Sequence, residues 1–129
     1  MPHRLTRFES KPEPANDAAL ADALPPFIER FVREDKRARA LQLFVPRPRV
    51  EWRDLIPMLD TWRARTFTDG VLVPWHATRG VFLVEHDAYS VDTKTALELY
   101  VPATDALFVA YGGIFAFVRS QVGEALLFT

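Results

Sequence analysis

The spacing of the apolar residues changes at Gly80, and this change limits the fold more than any other feature of the chain. In 27–32, apolar residues lie at positions i, i+1, i+4 and i+5, which is the spacing of one buried helix face. After Gly80 they come in short continuous runs, such as 81–84 and 107–111, which are typical of buried strands. Helices followed by strands predict an α+β fold.

Prolines divide the helical part of the chain. Pro25-Pro26 is predicted to interrupt a first helix that Asn16-Asp17 caps, and "PRPR" at 46–49 is predicted to end the helices that follow, because proline has no N–H to donate. A further helix is predicted over about 50–62, with a kink or a break at Pro57. The residues of its predicted buried face are Trp52, Leu55, Ile56, Leu59 and Trp62.

The sheet is predicted from a strand at 81–86, an acidic loop, a short helix capped by Asp92 or Thr93, and three strands that end the chain. Gly112-Gly113 separates two apolar runs and predicts a two-residue hairpin, because a type I′ turn has positive φ at both central residues. The predicted fold class is α+β, with N-terminal helices packed on one face of a mainly antiparallel sheet that has a C-terminal β-hairpin or meander.

Length and composition predict a single domain. The chain has 129 residues, of which 49% are hydrophobic and 26% charged. Residues 1–15 contain three prolines and are predicted to be a flexible N-terminal tail. Residues 16–129 are predicted to be one α+β domain, with a helical part at about 16–62 and a sheet part at about 71–129.

Several classes of function lack their usual sequence signals. No apolar run approaches the ~18 residues of a membrane-spanning helix, so no membrane partner is expected. The chain has no cysteine, which excludes disulfides, thiolate zinc sites and cysteine nucleophiles and fits a cytoplasmic protein. It has neither a phosphate-binding glycine loop nor a dinucleotide fingerprint, and no cofactor is expected.

Two stretches resemble a group of small uncharacterised bacterial proteins. They are "ERFVREDKRARALQLF" at 29–44 and "VFLVEHDAYSVDTKTALELYVPATDALFVAYGGIFAFV" at 81–118. The resemblance implies a helix pair, then a strand, an acidic loop, a short helix and a terminal hairpin. It implies no activity and no site residue.

A basic cluster is the most substantial candidate site. Residues 1–79 carry 14 Lys and Arg against 11 Asp and Glu, whereas residues 80–129 carry 2 against 6. Arg30, Arg33 and Arg37 are predicted to share one helix face. Because arginine forms bidentate bonds to carboxylate and phosphate, the cluster predicts a protein partner, in particular an acidic one, or nucleic acid. The predicted partner-binding residues are Arg30, Arg33, Lys36, Arg37, Arg47, Arg49, Arg53, Glu85 and Asp87, and Arg39 belongs to the same basic cluster.

The acidic end of the first sheet strand is a second candidate. Glu85, Asp87 and Asp92, with His76 or His86, contain the oxygen and nitrogen donors that a divalent metal would need. Strand alternation predicts that Glu85 and Asp87 face one way and His86 the other. The competing interpretation is a solvated strand end with Asp92 as a helix cap.

Three functions remain open from the sequence. The first is a non-enzymatic protein-binding domain, such as an immunity/antitoxin-like or defence-associated regulatory protein of bacteria. The second is a small metal-dependent hydrolase or nuclease that uses Glu85, Asp87, Asp92 and a histidine. The third is a nucleic-acid or nucleotide binder that uses the arginine-rich helices, although the net charge of −1 is not typical of that class.

Overall fold

The computed structural model describes residues 12–45, 48–99 and 104–129. Most of the predicted N-terminal tail (residues 1–11), Arg47 and the stretch 100–103 lie outside the described residues. Within the rest of the predicted tail, Glu13–Pro14 forms a short strand.

The strands form one antiparallel sheet. In chain order they are β1 (Glu13–Pro14), β2 (Ala64–Arg65), β3 (Arg79–Val84), β4 (Asp87–Asp92), β5 (Ala106–Ala110), β6 (Ala116–Arg119) and β7 (Ala125–Phe128). Their order across the sheet is β1-β4-β3-β5-β6-β7-β2. β3 and β4 form a hairpin, β5 pairs with the other side of β3, and β5, β6 and β7 continue as a meander.

The described helices are mostly short. They are α1 (Asp17–Phe31), α2 (Arg37–Phe44), α3 (Trp52–Leu55) and α4 (Thr93–Glu98). Single 3-10 turns occur at Glu34–Lys36, Ile56–Met58, Thr61–Arg63 and Tyr111–Gly113, and a longer 3-10 helix covers Asp69–Trp75. No helix among these described segments is long and apolar enough to cross a membrane.

Both faces of the sheet are buried. Val81 and Leu83 of β3 pack with α1, α2 and α3, whereas Phe82 and Val84 pack on the opposite side with α4 and with the 3-10 helix of 69–75. The predicted α+β class and the position of the N-terminal helices on one face are therefore confirmed. The second layer explains why the central strands are apolar at nearly every position.

Helix α1 differs from its prediction. Asn16 caps it as expected, because its side chain accepts a hydrogen bond from the Ala19 N–H at 2.8 Å. However, α1 continues through Pro25-Pro26, so the predicted interruption there is wrong. Buried apolar residues lie on both sides of the two prolines, and packing of that face against the sheet outweighs the hydrogen bonds that the prolines cannot form.

The chain also turns where a common helix face was predicted. α1 ends at Phe31, Arg33 has extended backbone, and Arg37 begins α2. Arg30, Arg33 and Arg37 therefore do not share one helix face. A backbone hydrogen bond from the Arg33 N–H to the Met58 carbonyl, 2.8 Å long, holds the chain in this turn.

The predicted helix over 50–62 is limited to α3 and two 3-10 turns. Pro57 lies in the first of these turns, directly after α3, so the predicted break is confirmed. Because the helical phase is lost there, Trp62 leaves the buried face and is 82% exposed. The prediction that Trp62 is buried is wrong.

Two hairpins of the sheet differ in detail from their predictions. The predicted acidic loop after Val84 is a tight turn at Glu85-His86 followed by β4. Gly112 and Gly113 both have positive φ, at 72° and 64°, as a type I′ turn would need. The connection from β5 to β6 covers 111–115, however, and is longer than the two residues predicted.

Candidate functional site

A basic cleft of about 890 Å³ lies between α2 and α3. Its cationic side chains are Lys36, Arg39, Arg49 and Arg53, and its acidic ones are Asp35 and Asp54. The rest of the lining consists of Ala38, Gln42, Leu43, Pro57 and Met58. We call this feature the basic cleft. It gathers four residues of the basic cluster from three separate segments of the chain.

Local packing determines which side chains reach the cleft from α2. Ala40, Leu43 and Phe44 belong to the core that α2 forms with the sheet. Arg39 is therefore on the outer side of this helix, where it is exposed. The Arg49 N–H donates to the Leu43 carbonyl at 2.8 Å, and this bond brings the segment after α2 back alongside the helix.

Asp105 holds the other wall in place. Its Oδ2 accepts a 2.7 Å hydrogen bond from the Trp52 N–H at the start of α3. Its Oδ1 accepts a second bond, also of 2.7 Å, from the Gln121 N–H in the β6–β7 turn. One carboxylate thus caps α3 and ties it to the sheet. The sequence contains no local signal for this role, because 53 positions separate Asp105 from Trp52.

Three cations of the cleft have no acidic partner in the part of the chain that the structure describes. Within the described residues, the side chains of Lys36, Arg39 and Arg49 form no ion pair. The Arg53 Nε lies 3.4 Å from a Glu51 carboxylate oxygen, and the Arg53 side chain is 85% exposed, so this pair contributes little. The basic cleft therefore has positive charge available for carboxylate or phosphate groups.

Other arginines of the predicted partner surface support the fold. Arg37 donates from Nη2 to the Glu29 carbonyl at 2.8 Å and so joins α1 to α2. The Arg30 guanidinium lies 5.2 Å from the centre of the Phe31 ring. Arg33 pairs with Asp35 at 3.5 Å, beside the cleft. The structure therefore brings Lys36, Arg49 and Arg53 together with Arg39, and gives Arg30 and Arg37 contacts within the helical layer.

The predicted acidic site does not come together. Among the described residues, no three His, Asp or Glu side chains lie close enough to hold a metal ion. Glu85 has φ of 52° and lies in the β3–β4 turn, so strand alternation does not relate it to Asp87 as predicted. Nδ1 of His86 donates to the Pro48 carbonyl at 3.1 Å, and His76 ends the 3-10 helix of 69–75.

Asp92 caps helix α4. Its Oδ1 accepts a 2.7 Å hydrogen bond from the Thr95 N–H, as the competing interpretation of this residue predicts. Burial raises the pKa of Asp92, but hydrogen bonds from Thr95 and the charges of Arg79 and Lys94 outweigh that effect and lower the pKa overall. The carboxylate therefore stabilises α4 in its ionised form.

A second concave surface adjoins the basic cleft. It is a pocket of about 530 Å³ lined by Arg33, Ile56, Pro57, Leu59, Asp60, Thr61 and Trp62. We call it the Trp62 pocket. Pro57 lines both the pocket and the basic cleft. This pocket was not predicted from the sequence, because the apolar spacing of 52–62 places Trp62 on a buried helix face. Pro57 was the available signal that the helix would end before Trp62.

No protein-family model, no curated protein and no solved structure matches this chain.

Proposed function

We propose that this chain is a non-enzymatic protein-binding domain that recognises an acidic protein through the basic cleft. The observation that carries the proposal is the convergence of Lys36, Arg39 and Arg49 in a concave surface without acidic partners among the described residues. Arginine is enriched at the energetic centres of protein interfaces. Positive charge at such a surface also accelerates encounter with an acidic partner.

The finer form of the proposal is an immunity/antitoxin-like or defence-associated regulatory protein that acts in the bacterial cytoplasm. Such a protein neutralises its partner by forming a tight stoichiometric complex and needs no catalytic group. What supports this form is the segregated charge of the chain, which is basic before residue 80 and acidic after it.

Nucleic acid is the competing ligand for the same cleft, because phosphate groups accept the same bonds as carboxylates. We favour the acidic protein because the chain as a whole has a net charge of −1. We therefore expect the cleft to bind an acidic protein in preference to nucleic acid.

A charge reversal tests the proposal. Arg39→Glu with Arg49→Glu is expected to abolish capture of an acidic protein from lysate of the native host, and the purified pair is then expected to bind one to one. The matched control is Arg65→Glu with Lys94→Glu, which changes the net charge equally at exposed positions outside the cleft. Equal loss of binding in the control would show that the basic cleft is not the recognition surface.

A further inference from the structure

We propose that the acidic partner engages this surface through an amphipathic segment, with an apolar side chain in the Trp62 pocket and its carboxylates over the basic cleft. This inference rests on the proposed function and extends it to the chemistry of the partner. Trp62 is 82% exposed, more than any other large apolar residue in the described part of the chain.

Trp62 is exposed, and its ring contacts an arginine that is itself fixed. The Arg63 guanidinium lies 5.9 Å from the centre of the Trp62 ring and 5.1 Å from that of Phe31, which is fully buried. Arg63 is itself fixed by hydrogen bonds to the carbonyl oxygens of Arg30, at 2.7 Å, and Thr129, at 3.2 Å. This contact restricts the Trp62 ring, and a restricted aromatic ring loses less conformational entropy on binding, which favours its use as an interface anchor.

The Trp62 pocket differs from the basic cleft in its chemistry. Ile56, Pro57 and Leu59 supply apolar walls, and its charged residues, Arg33 and Asp60, are of opposite sign. The pocket therefore has no excess of charge and suits an apolar side chain. The basic cleft has the excess of positive charge and suits carboxylates.

The two surfaces are contiguous because Pro57 forms part of both linings. One segment of a partner would cover both if its apolar and acidic side chains were close in sequence, as they are on an amphipathic helix. A partner that carried carboxylates alone would leave Trp62 exposed. A partner that carried only apolar residues would leave Lys36, Arg39 and Arg49 without counter-charges.

Two fluorescent peptides of equal length and equal glutamate content test this inference on the full chain. The first carries leucine and phenylalanine at helical spacing, and the second carries serine at those positions. In the wild-type protein the first peptide is expected to bind about tenfold more tightly, which is the effect of one good apolar anchor. An oligothymidylate of the same charge serves as the nucleic-acid probe.

Three variants separate the contribution of Trp62 to peptide binding from that of the charges in the basic cleft. Trp62→Ala is expected to remove the tenfold preference for the first peptide, whereas Val122→Ala is expected to keep it, since Val122 is 76% exposed but lines neither surface. Arg39→Glu with Arg49→Glu is expected to weaken binding of both peptides, because it reverses charge in the cleft that both use.

Different results would contradict the inference about the Trp62 pocket and the proposed function of the basic cleft. A preference that survives Trp62→Ala would overturn the inference and leave the basic cleft as the recognition site. Binding of both peptides that the charge reversal leaves unchanged would contradict the proposed function. Failure of both peptides to bind would overturn both proposals. Tighter binding of the oligothymidylate that depends on Trp62 would assign the surface to nucleic acid, through stacking of bases on the ring.

Discussion

Gly113 lies where the β5–β6 connection meets helix α1, and Gly113→Ala is expected to destabilise the fold strongly. A Cβ atom at this position would lie 2.8 Å from the Pro26 carbonyl carbon and 2.9 Å from the Phe27 nitrogen. Both are backbone atoms of α1, so no side-chain rotation can relieve the contact. The helix or the turn would have to move, and this contact is one of the places where α1 packs against the sheet layer.

The loss of stability expected for Gly113→Ala has two causes. Gly113 has φ of 64°, a conformation that costs a residue with a side chain about 1–2 kcal/mol. Forcing an extra atom into a packed contact costs typically about 1–3 kcal/mol. Together they predict a loss of about 2–5 kcal/mol, a large share of the roughly 5–15 kcal/mol that stabilises an ordinary domain.

Gly112→Ala is the matched control. Gly112 has φ of 72°, but the nearest atom to its added Cβ would be Cγ2 of Ile114 at 3.9 Å, which is an ordinary contact. Only the backbone cost of about 1–2 kcal/mol should therefore appear. Urea denaturation followed by tryptophan fluorescence would measure both free energies of unfolding. Equal losses in the two variants would refute the close approach of Gly113 to α1.

Three further variants test other parts of the structure. Asp105→Ala should lower the free energy of unfolding by about 1.5–3 kcal/mol in chemical denaturation, because the Trp52 N–H loses a charged acceptor. Asp92→Ala should cost about 1 kcal/mol at neutral pH, since α4 loses its cap. The folded-state pKa of Asp92 lies below its ordinary value of 3.8, so its contribution is present above that pH and is lost on acidification through the lower, folded-state pKa. Stability of Asp92→Ala measured across this acidic range should fall less steeply than that of the wild type. Trp62→Ala should change the free energy of unfolding, measured by thermal denaturation, by less than about 1 kcal/mol. A larger loss would mean that the ring is not exposed.

Features that depend on neighbours in sequence were predicted well. The apolar residues of 27–31 became the buried face of α1, and the continuous run of 81–84 became a central strand. Asn16 caps α1, and Gly112-Gly113 has the positive φ values that its turn needs. Each of these outcomes follows from backbone geometry and side-chain spacing within a few residues.

The strand β4 was missed although its pattern was present. In 87–92, Tyr89 and Val91 alternate with polar or smaller side chains, which is the pattern of a strand with one apolar face. Asp87 and Asp92 at its ends favoured a loop instead. What decided the outcome was pairing: β4 lies between β3 and β1 in the sheet, where its backbone groups find partners.

The sequence by itself determined that a mainly helical part precedes the main strands of the sheet, the α+β class and the presence of a basic cluster. Only the tertiary structure decided which members of that cluster lie together. Arg37 bonds across to α1, whereas Arg39, Arg49 and Arg53 meet in one cleft because α2, the segment after it and α3 form its walls. The physical reason is that helical spacing depends on a few consecutive residues, whereas convergence of side chains depends on how separate segments bury their apolar faces against one sheet.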